Sequence, residues 1–146
     1  LVWDEAGQPF LLLDGYEPDM RWEAFARAVT QFCTDNDVQS FTWVHAIPFP
    51  IPHTRPTGIT VSGNRQDMIA RFSEWKPQTQ VPGNVIHLLE FRLGEAGFET
   101  AGFVLLVPHY LADNEVKAHQ HAGAGLCQWG LRARQVTYWQ AKSGNS

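Results

Sequence analysis

His53 and Arg55 stand two residues apart in IPHTRPTG, residues 51–58, between Pro52 and Pro56. An arginine presents a planar fork of donors that fits a carboxylate or phosphate, and a histidine is a donor or acceptor that titrates near neutral pH. The prolines fix φ and lower the backbone entropy lost when the loop is held, so both side chains can be presented in place. This is the chemistry of an anion site. Arg55 can instead pair with Glu17 or Asp14 from a neighbouring strand end and fasten two loops together. Paired charges commonly have such structural roles, and on the residues alone that reading is the weightier. His109, after Pro108, is a further polar group at a strand end. Satisfaction of its ring nitrogens by backbone outweighs catalysis, and Tyr110 reads as packing. The candidate binding set is Glu17, His53, Arg55 and His109, with no catalytic assignment.

These residues need elements to position them. Four consecutive apolar residues, Phe10 to Leu13, bounded by Asp14 and Gly15, predict a strand covered on both faces. Asp19 is the expected N-cap of a helix whose Trp22, Phe25, Ala26, Val29, Phe32 and Cys33 recur on one face. Val38 to Ile47 is rich in β-branched and aromatic residues and predicts a strand, ended by the prolines at 48, 50, 52 and 56. A short strand over Thr57 to Gly63 and a short helix over Asn64 to Phe72 follow. Asn84 is the expected cap of a second long helix, with Val85, Ile86, Leu88, Leu89, Phe91 and Leu93 facing inward and Gly97 at its end. Ala101 to Val107 is the last strand, broken by Pro108.

Strands that are apolar throughout and alternate with helices predict an α/β fold, a mostly parallel sheet with helices on both sides. Binding groups collect outside the carboxyl ends of such strands. Here DGYEPD, PFPIPHTRP and PHY occupy those ends, which predicts that Glu17, Arg55 and His109 share one rim.

Composition narrows the function classes. A chain of 146 residues suits one domain. No apolar run reaches the roughly 20 residues of a membrane-spanning helix, so no membrane partner is expected. A net charge of −4 argues against a nucleic-acid partner. Two cysteines, Cys33 and Cys127, are too few for a disulfide framework or a thiolate zinc site, which makes a reducing cytoplasm the expected compartment. No G-x-S-x-G elbow, P-loop or G-x-G-x-x-G is present, so no nucleotide cofactor is expected. His119, His121 and Cys127 superficially suggest metal ligands, but the tail around them lacks carboxylates for an outer shell, and no metal is expected.

Charge divides the chain unevenly. All fifteen acidic residues fall within 1–115 together with seven basic ones, and residues 116–146 carry four basic residues and no acid. That tail also lacks Ile, Phe, Met and Pro and holds no sustained period, so it is expected to stand apart from the core, as a disordered end or the product of a shifted frame. The opening LVWDEAGQPF suggests a fragment.

LLLDGYEPDMRW, VHAIPFPIPHTRP and VPHYLADNE, in that order, resemble signature segments of the proteasome assembly chaperone 2 family in its actinobacterial branch. The resemblance runs from Leu11 to Glu115 and rests on Glu17, Pro18 and Trp22, on Pro52 to Pro56, and on Pro108 to Tyr110. It implies a three-layer α/β/α domain of phosphorylase/hydrolase-like architecture, oligomeric in many members, whose relatives assist proteasome assembly. It also implies that the chain is shorter than the family at both ends. Family members place Pro-x-Gly before the second long helix, where this chain has Pro82, Gly83 and Asn84. Two functions follow as expectations. One is a non-enzymatic assembly or scaffold protein, homo-oligomeric and meeting proteasome-like subunits. The other is an enzyme acting on an anionic small molecule, as a hydrolase, phosphorylase or carboxylate-amine ligase, with Arg55 on the anion, His53 as acid or base and Glu17 orienting them.

Overall fold

A computed structural model of the chain describes residues 1–3, 7, 9–13, 15–52, 54, 58–73, 83–111 and 137–138. The order is β1 (Val2–Trp3), β2 (Pro9–Phe10), α1 (Trp22–Asp35), β3 (Ser40–Phe49), β4 (Ile59–Gly63), α2 (Gln66–Phe72), α3 (Val85–Glu95), β5 (Glu99–Pro108), a 3-10 turn (His109–Leu111) and β6 (Thr137–Tyr138). The main sheet runs β4-β5-β3-β6.

That sheet is mixed. β3 is parallel to β5 and to β6, and β4 is antiparallel to β5. The reason lies in the short link over 50–58. A parallel return needs a crossover of about a dozen residues or more, usually a helix. β4 therefore starts at the edge where β3 ended and runs back. A parallel partner for β3 comes only after α2 and α3, when β5 enters between β3 and β4.

Two apolar clusters cover the sheet. On one face Val44, Ile59, Val61, Phe103, Leu105 and Val107 pack with Phe72, Met68 and Ile69 of α2. On the other, Phe41 and Trp43 meet Ala26 and Cys33 of α1 and Val85, Ile86, Leu89 and Leu93 of α3. The alternation of Trp43 and Val44 between faces is the two-residue period of a strand. Outside the core, Arg92 ties the helices together, its Nε and Nη2 donating to the two carboxylate oxygens of Glu23 at 3.1 and 2.6 Å.

The start of the chain differs from expectation. β2 ends at Phe10, which pairs with Val2 in a separate two-stranded ribbon, and residues 11–13 belong to no strand. Asp19 does not cap α1. The chain turns at Arg21, whose φ of 61° lies in the left-handed region, and the Arg21 carbonyl accepts the Ala24 N–H at 2.9 Å. Asp19 is thus two residues too early for a cap. The Trp22 indole instead donates to the Pro18 carbonyl at 2.6 Å. α3 matches its sequence signals: the Asn84 side chain accepts the His87 N–H at 3.0 Å, and Gly97, at φ 93°, ends the helix in the left-handed region that glycine enters freely.

β4 is locked to the start of β5 by a two-residue device. Gly63 has φ 104°, and a Cβ there would collide with the Thr100 carbonyl. Asn64 then accepts the Thr100 N–H through Oδ1 and donates from Nδ2 to the Phe98 carbonyl, each at 2.8 Å.

Candidate functional site

The rim at the carboxyl ends of β3 and β5 is set by their register, in which the last pair is Phe49 with Pro108. The segment after Phe49 and the His109 turn therefore leave the sheet side by side. β4 re-enters beside them, with Ile59 opposite Leu105. His53 and Arg55, which the sequence places on this rim, lie outside the described residues, as does Asp14. His109 is exposed, its ring edge-on to Tyr110 with 5.6 Å between centroids.

Glu17 is half-buried and its Oε1 accepts the Val85 N–H at 2.7 Å. It holds the first turn of α3, where free N–H groups and the helix dipole favour a carboxylate. Glu17 and Asn84 together satisfy two of the N–H groups that this helix end leaves unpaired.

A second polar constellation, half-buried, lies between α3 and the sheet. Trp43 on β3 and Ser62 on β4 are both register partners of Gly102 on β5, so the three form one row across the sheet. Glu90 of α3 reaches this row. Its Oε2 accepts from the Trp43 indole at 2.6 Å and from the Ser62 hydroxyl at 2.8 Å. The glycine makes room, because a Cβ on residue 102 would collide with the indole and stand 2.5 Å from Oε2. His87, one helical turn before Glu90, sets its ring edge against Trp43 at 5.1 Å. Burial pushes the Glu90 carboxyl above its ordinary value of 4.5, against the opposing pull of the Ser62 and Trp43 bonds and the nearby His87. On β3, burial pushes His45 below 6.5, and the charge of His87 adds to that.

Sequence reasoning passed over Glu90, although a signal was present. Within VIHLLEFRL it stands four residues after Ile86 and three before Leu93, both buried, so an acid interrupts the inward stripe of the helix. Such an acid needs partners in the core.

Comparison with known proteins follows this geometry. Residues 1–125 match the model of the PAC2 family. No curated protein matches the chain. A Mycobacterium tuberculosis protein of unknown function is similar over 92% of this chain and 46% of its own, at 36% identity and TM-score 0.78. A protein of unknown function from Corynebacterium glutamicum aligns over 86% of this chain and 46% of its own, at 32% identity and TM-score 0.73. A Mycobacterium tuberculosis proteasome-assembly chaperone homologue shares the fold at 20% identity and TM-score 0.61, over 74% of this chain and 47% of its own. The chain spans about half the length of these solved relatives.

Proposed function

The chain belongs to the PAC2 family, and we propose that it acts as a non-enzymatic assembly or scaffold protein whose strand-end rim docks a protein partner of the proteasome-subunit kind. The observation that carries this reading is the family match over residues 1–125, supported by the fold shared with a proteasome-assembly chaperone homologue. The register pair Phe49–Pro108 supports the location, since it roots the loop of His53 and Arg55 beside the turn of His109. The prolines at 52 and 56 suit docking, because a loop with fixed φ has less entropy to lose when a partner arrives.

The reading includes a self-associating protein in the cytoplasm. No described helix is long and apolar enough to cross a membrane. It takes the whole domain as three α/β/α layers of hydrolase-like architecture, with 1–115 as this chain's share and 116–146 as an atypical basic tail. The enzyme alternative asks Glu17 to orient Arg55, on the anion, and His53, as acid or base. Its bond to Val85 gives Glu17 a structural role at the start of α3, which the docking reading needs and the enzyme reading does not.

Native mass spectrometry of the chain with proteasome-like subunits tests the proposal. A complex at micromolar concentration, weakened by Arg55→Ala or His109→Ala, is expected; no complex at that concentration rejects it.

A further inference from the structure

β5 pairs with β3 along its whole length, from Ser40 opposite Glu99 to Phe49 opposite Pro108. On the other edge of β3, among the described residues, β6 is the partner, and its register covers only Trp43 and Val44. The Gln39 carbonyl accepts the Glu99 N–H at 3.3 Å, so Gln39 and Phe41 turn their main-chain groups to β5. Ser40 and Thr42 turn theirs the other way, to the edge that β6 joins one residue later. A cavity of about 850 Å³ lies here. Its lining includes Phe41, on the face that α1 and α3 cover, and Ser40 and Thr42, on the opposite face. Residues from both faces of a strand line one cavity only around that strand's edge, and β5 closes the other edge. The cavity is therefore a groove along the outer edge of β3. Phe25, Val29 and Phe32 of α1 and residues 10–13 give it apolar walls. Phe32 falls on the inward stripe of α1 yet is 51% exposed, because the groove beside it is open. Asp37 is the one charged side chain among the described lining residues, and it stands just before β3.

We propose that this groove receives an extended segment of a partner polypeptide, added to β3 as a parallel strand, with a basic residue at its leading end and apolar residues at alternate positions. Three observations select that occupant. First, β6 shows that this edge takes a strand and takes it parallel. Second, the outward main chain of Ser40 and Thr42 presents donors and acceptors at strand spacing, which an extended backbone matches and a small apolar ligand does not. Third, the walls and the charge fit such a strand. Every second side chain of an added strand faces the apolar side of the groove. A parallel strand also brings its amino end to Asp37, whose carboxylate favours lysine or arginine there. The groove lies at the amino end of β3 and the rim at its carboxyl end, so this site does not rest on the docking proposed for the rim.

Fluorescence anisotropy of the chain with a labelled peptide, Lys-Val-Thr-Val-Thr-Val, tests the site. Saturable binding in the micromolar range is expected, with weaker binding when glutamate replaces the leading lysine. Ser40→Pro removes an N–H that faces the groove and that β5 does not use, so the sheet should persist. Peptide affinity should then fall about tenfold, the scale of one lost hydrogen bond. No saturable binding below about 1 mM, equal binding by a peptide with proline at its alternate positions, or equal affinity for the glutamate-led peptide overturns the proposal. Unchanged affinity in Ser40→Pro does so too. Should Ser40→Pro fail to fold, hydrogen exchange of the wild-type chain decides: protection of the Ser40 amide must rise when peptide is added, and unchanged protection overturns the site. Self-association of the chain without peptide binding overturns it in favour of a second copy as occupant.

Discussion

The Trp43 indole lies across Gly102, its register partner on the neighbouring strand, so closely that no side chain fits between them. This contact lets an indole lie over the sheet and brings its N–H within 2.6 Å of Glu90. Trp43 is fully buried, so it has nowhere to retreat. Gly102→Ala is expected to cost about 3 kcal/mol, the upper range for overpacking a filled core, because a bond to a half-buried carboxyl is broken with it. Urea denaturation followed by tryptophan fluorescence checks this, and a loss below about 1 kcal/mol would show that the row is less tightly packed than described.

Asn64 offers a different kind of test, because its side chain behaves as a piece of backbone. It accepts the Thr100 N–H and donates to the Phe98 carbonyl, and Thr100 is 1% exposed. Truncation to alanine leaves the N–H of the buried Thr100 without this acceptor, although position 64 itself faces solvent. A cost of about 1–3 kcal/mol is expected. Asn64→Asp keeps the acceptor and loses the donor, so it should fall between alanine and wild type in thermal denaturation.

The parts of this fold that could be read from sequence are those fixed by local chemistry. Asn84 and Gly97 bracket α3 as expected, since a cap and a left-handed stop depend on neighbours a few residues away. β3 and β5 were visible as apolar, β-branched runs. The direction of β4 was not visible, because it depends on β5 arriving later and inserting beside β3. Phe32 and Phe91 fit the inward periodicity of their helices yet are 51% and 60% exposed. Period alone does not say how wide a stripe the neighbours cover. Of the candidate site, Glu17 and His109 could be placed, but the bond from Val85 that occupies Glu17 joins residues 68 apart and has no local signature.

Glu17 itself gives a measurable prediction. Its carboxylate holds an N–H at the positive end of α3, so Glu17→Ala should lower stability by about 1 kcal/mol, the usual scale for a lost helix cap. Glu17→Gln keeps an acceptor and loses the charge, and should cost about half as much. If the two variants are equally stable as wild type in chemical denaturation, the bond contributes nothing. Should Glu17→Gln match wild type in stability yet lose partner binding, the carboxylate acts at the rim as well as on the helix.

His45 sets the acid side of the stability profile. Its folded-state pKa lies below 6.5, first because burial disfavours the imidazolium and then because His87 repels it. The unfolded chain therefore binds this proton more readily than the folded one. The sign follows from linkage: the contribution is complete above pH 6.5 and is lost as pH falls from there through the depressed folded value. His45→Asn, which cannot ionise, should flatten the decline in melting temperature below pH 6.5. Glu90 acts oppositely, since its raised pKa makes the folded chain the better proton binder; its contribution is complete below 4.5 and is lost as pH rises through the raised value. The double variant His45→Asn/Glu90→Gln should therefore show a flatter profile between these limits than either single variant. A double variant as pH-sensitive as either single variant would place the titrating groups elsewhere in the chain.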